Sequence, residues 1–196
     1  MKQRRQVKLF GFCFLLSILF YFTGRSEKIN VNEIDINKIE DFDLIISKGQ
    51  SAQSKLIRLL NFSIDDYSHV GILMKDNEQL YVLHATPDGS KINGIRYDDL
   101  QTFIDLSNVS ECTVIRCNAL SDESYIKLKS EFETYKNSQV PFDYDFDNFD
   151  DKNIYCSELI SIIFNNSGLS IFSEIDMTKP IYPKYFLKTK CFFVVE

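Results

Sequence analysis

The 196-residue chain is short of several features on which common protein chemistries depend. It has only two histidines, His69 and His84. Its five cysteines show no paired spacing of the kind that holds zinc, and no acid cluster completes an ion-binding pattern, so neither a metal nor an organic cofactor is expected. No segment repeats, which excludes a solenoid or propeller. Positive charge is also scarce. The net charge is −6, and the first 24 residues hold Lys2, Arg4, Arg5 and Lys8 with no acid, so the rest of the chain is more acidic than the whole. Such a remainder lacks the basic face that binds a phosphate backbone, which argues against nucleic acid as a partner and against docking on anionic lipid through charge. A long hydrophobic run is missing too. Residues 9–22 are apolar apart from Gly11 and Ser17, yet as a helix they reach only about 21 Å against a hydrocarbon layer of roughly 30 Å.

What is present describes one globular domain, 44% hydrophobic and 26% charged. Basic residues followed by a short apolar core make residues 1–24 an export signal, read as a signal peptide or a signal anchor. Residues 25–40 are polar and aperiodic, a linker, and residues 41–196 form the domain. An extracytoplasmic location follows, either periplasmic or secreted, with membrane attachment through the N-terminal segment as the anchored form. In an oxidising compartment Cys112 or Cys117 could bridge to Cys191, although nothing in the sequence demands it.

Within the domain, alternation and apolar runs predict strands over 43–47, 69–74, 80–86, 111–116 and 191–195. Helical spacing predicts helices over 51–61 and 121–136, and a helical turn over 98–104. A further helix begins at Cys156, where Leu159, Ile160, Ile163 and Phe164 form one apolar stripe and Gly168 supplies a stop. Cys156 then lies in the first turn, where unpaired amides and the positive end of the dipole favour a thiolate, lowering its pKa from about 8.5 toward roughly 3.5–7.5. The same amides suit an oxyanion. Taken alone, a cysteine entering an apolar helix is a small buried hydrophobe. The histidines change that reading. A tight turn centred on Asp76 and Asn77 pairs Lys75 with Glu78, Gly71 with Val82 and His69 with His84, which puts both imidazoles side by side on one face. Nucleophile, base and orienter are then all available for a thiol hydrolase.

The acidic, aromatic stretch 140–151 carries Asp143, Asp145 and Asp147 at the spacing of a calcium loop. Asn148 stands where glycine is needed and Ile154 where the bidentate acid belongs, so the stretch is read instead as a loop that folds its aromatics under the Cys156 helix.

The segments Ser68-His69-Val70-Gly71-Ile72, Val82-Leu83-His84-Ala85, Phe142-Asp143-Tyr144 and Tyr155-Cys156-Ser157-Glu158-Leu159 resemble the YiiX/YebB-like permuted papain-fold hydrolases. These are circularly permuted relatives of the bacterial NlpC-type cell-wall cysteine peptidases and, more distantly, of the lecithin–retinol acyltransferase group. The resemblance implies an α+β fold in which the nucleophile helix packs on an antiparallel sheet. It implies Cys156 as nucleophile, His69 as base and His84 as orienter, where many YiiX-type members have glutamate. Tyr155, Ser157, Tyr144 and Gly71 fall in supporting positions. The implied reaction is cleavage of an amide or ester, in a wall peptide or a lipid, through an acyl-enzyme. A lipid-directed acyltransferase or phospholipase of the same fold, and an inactive binding domain, are the competing readings.

Overall fold

The computed structural model describes residues 34–49, 67–87, 93–148, 152–171 and 178–195. The helix expected over 51–61 and the N-terminal segment 1–24 lie outside them. Six strands, β1 (Leu44–Gly49), β2 (His69–Asp76), β3 (Gln79–Thr86), β4 (Gly94–Asp99), β5 (Val109–Cys117) and β6 (Phe192–Val194), form one antiparallel sheet in the order β4-β3-β2-β1-β5-β6. Among the described residues three α-helices accompany it: α1 (Leu100–Ser107), α2 (Asp122–Lys136) and α3 (Cys156–Asn166).

Strand alternation divides the core into two layers. Leu44, Ile46, Val70, Ile72, Leu83, Ala85 and Ile115 face α2 and α3, where Leu128, Phe132 and the predicted stripe Leu159, Ile160, Ile163 and Phe164 are fully buried. Ile45, Leu73, Val82 and Val114 face the other way, toward Leu100, Phe103 and Ile104 of α1. Cys117 and Cys112 separate between these layers as their odd spacing predicts, and the four described cysteines are free thiols. Ser121 caps α2 through a reciprocal bond with Ser124, a serine where glutamate is the commoner partner.

The end of the segment read as a linker rests on the domain. Ile39 is buried, and Arg116 donates to both Asp43 oxygens, to Glu40 and to the Lys38 carbonyl. Among the described residues no helix is long and apolar enough to cross a membrane.

Two expectations require correction. The β2–β3 turn is centred on Asn77 and Glu78, both at positive φ (47° and 66°), and Lys75 pairs with Leu80 instead of Glu78. Moving the turn centre by one residue slides the register by two, which keeps every side chain on its expected face. The second concerns residues 94–99, which form edge strand β4; the helix follows at Leu100, capped by the Asp99 carboxylate on the Thr102 amide. The charges in Gly-Ile-Arg-Tyr-Asp-Asp hide the strand alternation of Ile95 and Tyr97.

Candidate active site

Cys156 opens α3, as its position before the apolar stripe predicts. Glu158 reaches back to accept the Tyr155 amide (3.3 Å), a capping contact that steadies this end of the helix. Tyr155 is buried; its hydroxyl donates to Asn148 Oδ1 (2.6 Å) and accepts the Ile181 amide (2.8 Å), pinning the 180–183 segment beside the thiol. Phe142, Phe146 and Tyr155 meet edge to face in succession, so the aromatic loop does fold under α3. The acid spacing in that loop has a local use: Asp143 accepts the amides of Asp145 (2.8 Å) and Asp147 (2.9 Å). A cavity of about 300 Å³ opens at the helix start, lined by Tyr144, Phe146, Tyr155, Cys156, Ser157 and Tyr182 among others. Ser157 Oγ is 4.0 Å from Cys156 Sγ, and Tyr144, largely exposed, donates to Asn93.

The thiol is only 2% exposed, and its electrostatics differ from the expectation. Burial pushes the Cys156 pKa up to about 11, against the opposing pull of the Val70 amide, the Ser157 hydroxyl and the first amides of α3. The dipole and free amides of a helix start are present, but desolvation of the sulfur outweighs them. The resting group is a neutral thiol.

The histidines are brought together on the α1 side of the sheet. Continuing the observed register puts His84 opposite Gly71, so His69 meets it on the diagonal instead of directly across. His69 Nε2 and His84 Nδ1 lie 2.9 Å apart, with the rings at 80°. Both rings pack on Phe103 of α1. Gly71 makes this possible: a Cβ there would lie 2.3 Å from Val82 Cγ1 and 3.2 Å from His84 Cβ. Burial first, then the repulsion His69 would meet from a protonated His84, holds the His69 pKa well below its usual 6.5.

Sequence reasoning missed the far end of this run, which lies on the unrecognised strand β4. His84 Nε2 is 3.1 Å from Asp98 Oδ2, and Arg96 donates to both Asp98 oxygens (2.7 and 2.9 Å). Burial raises the Asp98 pKa, but the hydrogen bonds and charges of His84 and Arg96 prevail and lower it to about 2. The period-two spacing of Arg96 and Asp98 was the available signal.

Thiol and imidazoles thus belong to opposite faces of β2. The amide of Val70, the residue after His69, is among the groups that act electrostatically on Sγ. Among the described residues no hydrogen bond joins Cys156 to His69, and no group of three or more His, Cys, Asp or Glu side chains is placed to hold a metal ion.

Comparison with known proteins places this arrangement. The YiiX protein of Escherichia coli strain K12 is 30% identical over 145 residues, covering 70% of this chain and 66% of its own length, just short of two thirds of that relative. A crystal structure described as the metalloprotein yiiX from Escherichia coli O157:H7 superposes with a TM-score of 0.62 at 22% identity, covering 81% of this chain and 97% of that one; at that identity the likeness shows the fold. Residues 39–188 match the family described as permuted papain-like amidase enzyme, YaeF/YiiX, and that span holds strands β1 to β5, the cysteine helix and both histidines. The chain is a member of this C92 family of permuted papain-like amidases, with an α+β fold and the histidine strand preceding the cysteine helix.

Proposed function

We propose that the chain hydrolyses an amide or ester through Cys156. The observation that carries this reading is the position of Cys156, which opens α3 at the edge of the cavity, where the amide of Val70, the residue after His69, acts on its sulfur. Catalytic hydrogen bonds in free enzymes are often long and tighten when substrate binds, so the separation of thiol and imidazole in the free protein is compatible with His69 as base.

With Cys156 and His69 both neutral at rest, a preformed thiolate–imidazolium pair is disfavoured. The proton therefore passes to His69 as the C–S bond forms. Charge develops on the carbonyl oxygen, within reach of the amides that open α3. Collapse of the tetrahedral adduct breaks the C–N or C–O bond, and the imidazolium returns its proton to the leaving group. Water, deprotonated by His69, then attacks the thioester; the C–S bond breaks, the acid is released, and the departing sulfur takes the proton back from His69. His84 orients His69, and Tyr155, Ser157 and Tyr144 shape the cavity.

The aromatic and proline wall supplied by Tyr144, Phe146, Tyr182 and Pro183 fits a carbonyl attached to an apolar group, which favours acyl-bearing substrates, including lipids, over a polar wall peptide. An acyltransferase of the same fold would give the same acyl-enzyme but pass it to an amine or alcohol. Incubation with wall peptides and with acyl lipids, followed by intact mass measurement, tests both: an acyl adduct on Cys156 that turns over to acid supports the hydrolase. Absence of any adduct with either class, in a folded protein, supports an inactive binding domain instead. Export through residues 1–24 remains part of the proposal, and fractionation that recovers the full-length chain soluble in the cytoplasm would refute it.

A further inference from the structure

We propose that Asp98, held by Arg96, is a positioning residue that sets the tautomer of both histidines and so makes Nδ1 of His69 the nitrogen that takes the Cys156 proton. The inference rests on His69 being the base for Cys156. It follows from the direction each hydrogen bond must have. A guanidinium only donates, and an ionised carboxylate only accepts. Arg96 Nε and its terminal nitrogen therefore donate to the two Asp98 oxygens, and His84 Nε2, 3.1 Å from Oδ2, must donate as well. A neutral imidazole that donates from Nε2 accepts at Nδ1. His84 Nδ1 lies 2.9 Å from His69 Nε2, so that nitrogen carries a proton in turn. The remaining ring nitrogen of His69, Nδ1, is left with its lone pair. It is the ring nitrogen beside the residue's own Cβ, and so the one nearer the backbone of β2, whose Val70 amide acts electrostatically on Sγ.

Protonation of the pair undoes the arrangement. A cationic His84 would donate from both nitrogens, His69 Nε2 would become the acceptor, and the His69 proton would move to Nδ1, where it blocks the base. Among the described residues, the charged and titratable groups facing His84 include Asp98 and Arg96 on β4 and His69 on β2, while α1 contributes the uncharged Phe103. Asp98 thus fixes the tautomer of the neutral state.

Because the chain has only two histidines, long-range proton–nitrogen NMR of the full-length, nitrogen-labelled protein reports each tautomer without crowding. The expected wild-type spectrum shows both rings protonated at Nε2 with both Nδ1 atoms bare. Asp98→Asn, which offers His84 a donor as well as an acceptor, should shift the His84 proton to Nδ1 and disturb His69. It should lower kcat about 10- to 100-fold with KM little changed, and alter the acid limb of the rate profile. Asp98→Glu should restore the wild-type tautomers in part. A wild-type His69 protonated at Nδ1 in the active pH range would overturn the inference, as would a folded Asp98→Asn protein with unchanged tautomers and pH profile. Should Asp98→Asn not fold, the wild-type spectrum alone decides. Failure of the hydrolase reading would appear separately, as a wild-type protein that forms no acyl-enzyme whatever its tautomers.

Discussion

On the α3 side of β2, the Cys156 sulfur sits among apolar side chains, with backbone amides and one hydroxyl as its polar neighbours. On the α1 side, the imidazoles form a line of polar contacts that ends on an ion pair between Asp98 and Arg96. The contrast shows where this fold accommodates charge. A carboxylate is stabilised at the rim of the sheet by two cationic or donating neighbours, whereas the thiol has no counter-ion among the described residues and its pKa is raised to about 11. In the proposed mechanism the polar side carries orientation and the apolar side carries nucleophilicity. Strand β2 connects them.

Removing either half should have the largest effects. Cys156→Ala should reduce turnover by at least about 10⁴-fold, and His69→Ala should approach that loss, because members of such a unit fail together. Steady-state rates on an acyl amide check both. If Cys156→Ala is dead while His69→Ala stays active, the two faces do not cooperate and another base serves the thiol. His84→Gln, which keeps a hydrogen-bonding group beside His69, should leave measurable activity, and His84→Ala should leave less. The reverse order would assign the proton transfer to His84.

Alkylation of Cys156 sharpens the electrostatic side of the comparison. With the pKa raised to about 11, the rate of reaction with iodoacetamide in the free protein should keep rising through pH 9–10. A plateau near pH 7 would mean that the helix amides prevail over burial after all. Slow alkylation at neutral pH is thus no mark of an inert scaffold in this protein, and acyl-enzyme capture is the better discriminator.

Stability should also reflect the two faces. The folded-state pKa of His69 is depressed, so its contribution is present above the unfolded value of about 6.5 and is lost as pH falls below it. Asp98 adds a second loss from about pH 4 down to about 2, again because its folded pKa is the lower one. Denaturant midpoints measured from pH 7.5 to pH 3 should therefore fall, and His69→Gln should flatten the upper part of that curve. Gly71→Ala should cost about 1–3 kcal/mol by forcing Val82 and His84 apart, read as a lowered melting temperature together with lost activity. The smallest effect is expected for Glu158→Gln, a few tenths of a kcal/mol to about 1 kcal/mol, since the amide still accepts the Tyr155 N–H. Abolished turnover in a folded Glu158→Gln protein would give that residue a role beyond capping.

Local pattern alone determined the strands carrying His69 and His84, the helix that begins at Cys156 and the common face of the two histidines. Each depends on a short-range period of two or 3.6 residues, and a side chain's face survives even a two-residue slip of register. The tertiary structure decided the rest. Which residues turn between β2 and β3 depended on Asn77 and Glu78 both adopting positive φ, and this moved His84 from opposite His69 to opposite Gly71. Strand β4 exists because β3 offers it an edge and His84 offers Asp98 a partner, neither of which a charge-rich hexapeptide reveals. The protonation state of Cys156 was beyond local reasoning as well. A helix start favours the thiolate through its own amides, whereas the opposing desolvation comes from side chains distant in sequence that close around the sulfur only when the chain folds.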